Sequence, residues 1–103
     1  LSEALLYQVS LRKAQLQIAN LSQAILQRAF LREANLSQAV LSQADLQQVN
    51  LTNAELREAD LSGANLEGAF LLEANLEGAN LEGANLNRAI LTGAIMPDGS
   101  LYC

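Results

Sequence analysis

Residues 63–69 read Gly-Ala-Asn-Leu-Glu-Gly-Ala, and this short pattern recurs along the chain. Leucine occupies every fifth position from Leu1 to Leu91. The residue three positions after each leucine is small: it is alanine everywhere except at Val9 and Val49. A fixed five-residue repeat of this strictness predicts a structure built from identical short units.

The five-residue period excludes both an ordinary helix and a flat strand. In an α-helix each leucine would be rotated by about 140° from the previous one, so no apolar stripe would form. In a continuous strand an odd period would send alternate leucines to opposite faces. A chain that bends once per repeat avoids both problems, because the leucine and the alanine two residues before it then point inward. Polar residues and glycine take the corners, where turns favour them, and the pattern therefore predicts an all-β solenoid.

The repeat resembles that of the pentapeptide repeat family over essentially the whole chain, and its last residues resemble the ending of cyanobacterial members. The resemblance implies an all-β, right-handed quadrilateral β-helix with four pentapeptide repeats per coil, which gives about five coils for this length. We expect residues 1–95 to form the β-helix. In residues 96–103, Pro97-Asp98-Gly99 predicts a β-turn with Pro97 at its first central position. This turn and tail are expected to cap the last coil.

A coil of 20 residues places residue n against residue n+20 and groups the outward side chains into ladders. We expect the Asn and Asp side chains in these ladders to bond neighbouring backbone and one another. The same register stacks Lys13 on Glu33 and Arg57 on Glu77 as exposed ion pairs. All six glycines lie after residue 60, so we expect the corners of the two halves to differ in backbone geometry.

One outward ladder carries aromatic and aliphatic side chains, and a neighbouring corner adds a leucine and two arginines. The members of this candidate interaction face are Phe30, Phe70, Leu72, Ile90, Arg12 and Arg32. Aromatic and arginine side chains are frequent anchors of protein interfaces, so one interpretation is a partner or dimer face. The other interpretation is a set of scattered surface apolar residues, which are common and need no function.

The sequence lacks the usual side chains of catalytic and metal sites. It has no histidine and a single cysteine, and none of its glycines belongs to a phosphate-binding loop. Its carboxylates have no predicted cleft that would perturb their pKa values. We therefore expect a protein that is not an enzyme and has no catalytic residue, cofactor, metal or small-molecule substrate. No apolar segment is long enough to span a membrane, so we expect a soluble protein without membrane association, cytoplasmic unless an upstream segment targets it elsewhere.

The net charge of −5 is unevenly distributed, since residues 1–40 are net basic and residues 41–103 are net acidic. The overall acidity argues against direct nucleic-acid binding. Our first hypothesis is a structural scaffold that binds a protein partner or a second copy. The alternative comes from the resemblance: some pentapeptide repeat proteins bind DNA gyrase by mimicking duplex DNA, and residues 55–82 are strongly acidic. Mimicry predicts acidic stripes along a rod-shaped dimer, whereas a scaffold predicts that the side carrying Phe30 and Phe70 is buried in a contact.

Overall fold

The computed structural model describes residue 3, residues 5–6 and residues 8–102. This part of the chain contains no helix and no continuous strand. Single-residue β-bridges occur instead at every fifth residue from Leu5 to Ile95, and again at Leu101. From Ser10 to Ile95, a two-residue turn separates successive bridge residues. The chain therefore bends once per pentapeptide, as the sequence predicts.

The bridges pair residue n with residue n+20 in parallel, so one coil contains four pentapeptides. Asp45, for example, pairs with Ile25 on one side and with Asn65 on the other. The Leu46 N–H donates to the Asn65 oxygen at 2.7 Å, and the Asp45 N–H donates to the Ala24 oxygen at 2.9 Å. The chain is thus a β-helix with the predicted twenty-residue register, and every outward ladder follows from that register.

Leucine and alanine side chains fill the inside of the coil. The repeat leucines from Leu21 to Leu76 are at most 1% exposed, and the small residues between them are buried as well. None of the described polar or charged side chains is buried. Aliphatic residues of two sizes can pack such layers to normal protein density. The core therefore does not need Phe30 and Phe70, which lie outside it.

The corners share one backbone conformation along the chain. The small residue of each repeat donates its N–H to the oxygen of the leucine three residues earlier, as from Ala64 to Leu61 at 3.0 Å. The residue just before the small one has a positive φ, 57–64° where it is not glycine and 66–77° where it is. These features match a type II β-turn. The expectation that the two halves differ at their corners is wrong, because the same bonds between coils, such as that from the Gln48 N–H to the Glu67 oxygen at 2.9 Å, recur at corners with and without glycine.

The outward Asn and Asp side chains stabilise the turns. Their oxygens accept hydrogen bonds from the backbone N–H two residues later at 2.9–3.3 Å, in a series from Asn20 to Asp98. The prediction that they bond neighbouring backbone is confirmed. The prediction that they bond one another is wrong for the described residues, because these short side chains reach their own turn more readily than the next coil about 4.8 Å away. The longer side chain of Gln23 does reach the next coil and donates to Gln43 at 3.0 Å.

A reversal of the chain follows the last repeat. The Gly99 N–H donates to the Met96 oxygen at 2.8 Å, which confirms a turn with Pro97 at its first central position. Leu101 then pairs with Ile95 in an antiparallel bridge. The tail therefore lies against the final repeat, and its capping role stays a prediction.

Candidate protein interface

Three residues of the candidate interaction face, Phe30, Phe70 and Ile90, lie in one column. Parallel bridges connect Ser10, Phe30, Asn50, Phe70 and Ile90 in that order. The side chains of Phe30, Phe70 and Ile90 are 50%, 40% and 41% exposed. We call the side of the coil that carries this column the phenylalanine side. The β-helix thus brings together residues that are twenty positions apart. It leaves three large apolar side chains partly exposed to solvent on one side.

A shallow depression of about 340 Å³ lies between the two aromatic residues of this side. Its lining consists of Arg28, Phe30, Gln48, Asn50, Gly68 and Phe70. The Arg28 Nε donates to the Gln48 oxygen at 2.8 Å, so the guanidinium is held along one edge. The sequence analysis did not include Arg28, Gln48 and Gly68 in the candidate interaction face. These three residues stack at the corner that precedes the column, and the twenty-residue register would have been enough to place them there.

The predicted corner residues lie on the opposite edge of the phenylalanine side. Backbone bonds from Lys13 to Arg32 and from Asn53 to Leu72 place the corner residues of successive coils in one column. Leu72 is partly exposed beside Phe70. Arg32 is exposed beside Phe30, and Arg12 is exposed one coil earlier, beside Ser10. The six predicted face residues therefore share one side and its edge.

Charges are unequal along the phenylalanine side. The corners beside Ser10 and Phe30 carry four basic residues against one acid, and those beside Phe70 and Ile90 carry two acids against one arginine. The basic group is Arg12, Lys13, Arg28 and Arg32 with Glu33; the acidic group is Glu67 and Glu73 with Arg88. The side therefore has a basic end and an acidic end.

Both predicted ion pairs between coils are confirmed. Lys13 Nζ lies 4.0 Å from a Glu33 oxygen, and an Arg57 nitrogen lies 3.5 Å from a Glu77 oxygen. Arg12 adds a contact of 3.9 Å to Glu33, which the register alone did not predict. All of these side chains are substantially exposed, so each pair contributes about 0–1 kcal/mol at most.

The acids of the second half surround the coil instead of running along it. Glu58 and Glu77 lie at one corner, Asp60 on the next side and Glu67 at a different corner. In the twenty-residue register no acid is stacked directly on another acid. The acidic region is therefore a band around the coil, unlike the lengthwise stripes that mimicry of duplex DNA predicts.

The described carboxylates show no arrangement typical of catalysis. The Ser62 hydroxyl donates to Asp60 at 2.6 Å and holds its pKa below the ordinary value, with help from the Ser62 N–H. Ser100 lowers the pKa of Asp98 in the same way. A lowered pKa favours the charged form and opposes a general-acid role. Within the described ranges, no group of three or more His, Cys, Asp or Glu side chains is placed to hold a metal ion.

Two other exposed regions differ in character from the phenylalanine side. A depression of about 440 Å³ at the corner formed by residues 22–23, 42–43 and 62–63 is lined by serine, glutamine and glycine. Leu5 and Ile25 form an exposed apolar pair on an adjoining side. In the part of the chain that the structure describes, no helix has the length and apolar character to cross a membrane.

Comparison with known proteins identifies the repeat. The family model for pentapeptide repeats matches eight copies over residues 14–53 and 54–93. The chain is similar to the solved structure of Rfr23, a pentapeptide repeat protein from the cyanobacterium Cyanothece 51142, with 44% identity and a TM-score of 0.82 over 82% of this chain and 58% of that one. It is also similar to a pentapeptide repeat protein from the Arabidopsis thaliana thylakoid lumen, with 33% identity and a TM-score of 0.87 over 94% and 68%.

A third similar structure is HetL, a pentapeptide repeat protein involved in heterocyst differentiation regulation in the cyanobacterium Nostoc sp. strain PCC 7120. The identity is 44% and the TM-score 0.52, over 99% of this chain and 51% of HetL. The chain thus spans little more than half the length of Rfr23 and of HetL. No curated protein matches it. Because the family model covers most of the chain and the coil has the expected five-residue period, the chain belongs to the pentapeptide repeat family.

Proposed function

We propose that the chain is a non-enzymatic protein-interaction scaffold that docks a protein on the phenylalanine side. The scaffold is the right-handed quadrilateral β-helix of about five coils that the repeat implies. The main support for this proposal is the column of Phe30, Phe70 and Ile90. Each of these side chains is at least 40% exposed, and the core is complete without them. The similar protein HetL is involved in heterocyst differentiation regulation, and we propose that this chain acts through contact with a protein.

The composition of the phenylalanine side supports a protein as its ligand. Aromatic and arginine side chains contribute most of the binding energy in many protein interfaces. Here two phenylalanines lie two coils apart, with Arg28 and Arg32 near the level of Phe30. A rigid coil also holds these side chains in place before binding, which reduces the entropy lost on association.

This proposal is better supported than mimicry of nucleic acid. A mimic of duplex DNA needs negative charge at regular intervals along its length. The acids instead form a band, and the basic residues near the start of the coil interrupt any longer acidic surface. The phenylalanine side, in contrast, extends over the coils from Ser10 to Ile90.

Affinity capture with matched variants tests the proposal. The double variant Phe30→Asn/Phe70→Asn replaces both aromatic residues with asparagine. Asparagine already occupies the equivalent outward position in the other ladders, so the fold should tolerate it. Ile25→Asn is the control, because Ile25 is 38% exposed on an adjoining side and Phe70 is 40% exposed. Proteins from a lysate of the source organism would be identified by mass spectrometry and tested again as purified partners.

The expected result is a direct binder that the unaltered chain and Ile25→Asn retain and that the double variant loses. Its dissociation constant should rise at least tenfold with the double variant, which corresponds to about 1.4 kcal/mol. Equal binding to all three proteins would contradict the proposed docking side.

A further inference from the structure

We propose that the protein docked on the phenylalanine side is a second copy of this chain, packed antiparallel about a two-fold axis that passes through Asn50. This inference rests on the proposed function and names the partner for the same surface. Two-fold dimers use one patch on both subunits, so the patch must be complementary to itself. The order of residues along the column meets this condition.

The column reads the same way from Phe30 to Phe70 as in reverse. Asn50 lies at the middle level, with one phenylalanine on the coil before it and one on the coil after it. An antiparallel copy centred on Asn50 therefore places each Phe30 opposite a Phe70 of the partner. It also places Ser10 opposite Ile90. The two aromatic contacts bury apolar surface that is exposed to water in the single chain.

Charge selects the antiparallel over the parallel arrangement. A parallel two-fold copy would bring the corner with Arg28 against the partner's corner with Arg32, and like charges would then face each other. An antiparallel copy brings the basic end of one chain over the acidic end of the other. Arg28 then lies above the partner's Gly68 and next to its Glu67. At the other corner Arg32 lies over the partner's Leu72 and next to its Glu73. Glu33 also faces the partner's Glu73, but Arg12 and Lys13 lie 3.9 and 4.0 Å from Glu33 and offset its charge.

Gly68 at the corner and Asn50 at the centre remove steric and polar obstacles to this packing. Gly68 has no side chain, so it leaves space for the longer side chain of Arg28 from the second copy. The Asn50 oxygen accepts the Thr52 N–H at 3.1 Å, and its Nδ2 donors have no partner among the residues that the structure describes. Two Asn50 side chains at the axis can pair with each other, which satisfies one N–H of each between the two aromatic contacts.

The size of the surface predicts a weak dimer. Four coil spacings from Ser10 to Ile90 give a length of about 19 Å, and the smallest extent of the molecule is 20 Å. A patch of this size covers about 380 Å² on each copy, so the total of about 760 Å² lies below the standard size and is typical of weak or transient contacts. We expect a dissociation constant in the micromolar range, so that dimer and monomer exchange at ordinary protein concentrations.

Sedimentation velocity over a range of concentrations tests whether the chain dimerises through this side. The unaltered chain and Ile25→Asn should change from the mass of one chain to that of two across the micromolar range. Phe30→Asn/Phe70→Asn should shift the midpoint to at least tenfold higher concentration. A monomer at all concentrations would overturn the inference. So would a dimer that the double variant leaves unchanged, because that dimer would use another surface.

Cysteine crosslinking tests the orientation. Packed faces lie about 10 Å apart, which is too far for a disulfide, so a short bis-maleimide is used after Cys103→Ser. The antiparallel model predicts that Asn50→Cys crosslinks to itself. It also predicts that Ser10→Cys crosslinks to Ile90→Cys in a mixture but not to itself. Self-crosslinking of Ser10→Cys would overturn the antiparallel arrangement.

The two proposals fail in different ways. If the chain is monomeric but a different protein binds the phenylalanine side, the inference fails and the proposed docking side remains. If dimerisation and binding of every captured protein are insensitive to Phe30→Asn/Phe70→Asn, both fail. The sedimentation and capture experiments therefore separate these outcomes.

Discussion

Replacing Glu73 with glycine is expected to raise the free energy of unfolding by about 0.5–1 kcal/mol. Its φ is +57°, and a residue with a side chain is destabilised there by about 1–2 kcal/mol. The Glu73 side chain is exposed and forms no hydrogen bond or ion pair with the described residues. Its backbone N–H donates to the Thr92 oxygen at 3.0 Å, and glycine keeps that bond, so the change removes no polar contact. The greater freedom of glycine in the unfolded chain offsets about 0.5–1 kcal/mol of the gain.

The reverse change at two glycines provides the matched control. Gly83 and Gly78 have φ values of +72° and +74°. A Cβ at Gly83 would lie 3.7 Å from the nearest atom, in ordinary contact, whereas one at Gly78 would lie 3.0 Å from the Glu58 Cγ. Gly83→Ala should therefore lower the free energy of unfolding by about 0.5–1 kcal/mol, and Gly78→Ala should lower it further.

Urea denaturation followed by circular dichroism measures these differences by linear extrapolation. For each of the three variants, the test is whether the free energy of unfolding rises or falls. The result therefore does not depend on the exact magnitudes. A lower free energy of unfolding for Glu73→Gly, or a higher one for Gly83→Ala, would refute the reasoning that backbone strain at the corners limits stability.

Four further substitutions test the core, the turns and the surface. Leu46→Ala should lower the free energy of unfolding in urea by about 2–5 kcal/mol, and Leu86→Ala, in the less buried last coil, by less; equal costs would contradict the layered core. The lowered pKa of Asp60 stabilises the fold above the ordinary carboxyl pKa of about 4, and this contribution is lost as pH falls through the lower folded pKa. Asp60→Asn should therefore reduce the loss of stability on acid titration, and an unchanged pH profile would argue against this role. Arg57→Ala should cost less than about 1 kcal/mol at low salt and less still at high salt; a larger, salt-independent cost in thermal unfolding would show that the Glu77 pair is not a simple surface pair.

Most of the fold follows from the leucine period and the small residue between successive leucines. These two features determine which side chains point inward, and the twenty-residue register then determines which outward residues meet. The corner conformation was harder to predict, because positive φ is usually associated with glycine. Gln48 and Glu58 adopt it nonetheless, since the hydrogen bonds between coils fix the turn whatever the residue.

The phenylalanine side could be predicted only in part. The alignment of Phe30 with Phe70 follows directly from the register, and so does the position of Leu72 at its edge. The depression between the aromatic residues could not be predicted from the column alone. Its shape depends on Gly68, which lacks a side chain, and on the hydrogen bond that holds Arg28 against Gln48. Such features depend on side-chain length and direction, which periodicity does not specify.

The central claim is that one side of the coil is the interaction surface. Backbone amide spectra of the nitrogen-15-labelled chain at increasing concentration test it most directly, because every side is observed at once. We predict concentration-dependent shifts or broadening at residues 28–32, 48–52 and 68–72, with little change on the other three sides. Changes spread over all sides, or confined to the serine-rich corner at residues 22–23 and 42–43, would contradict the account.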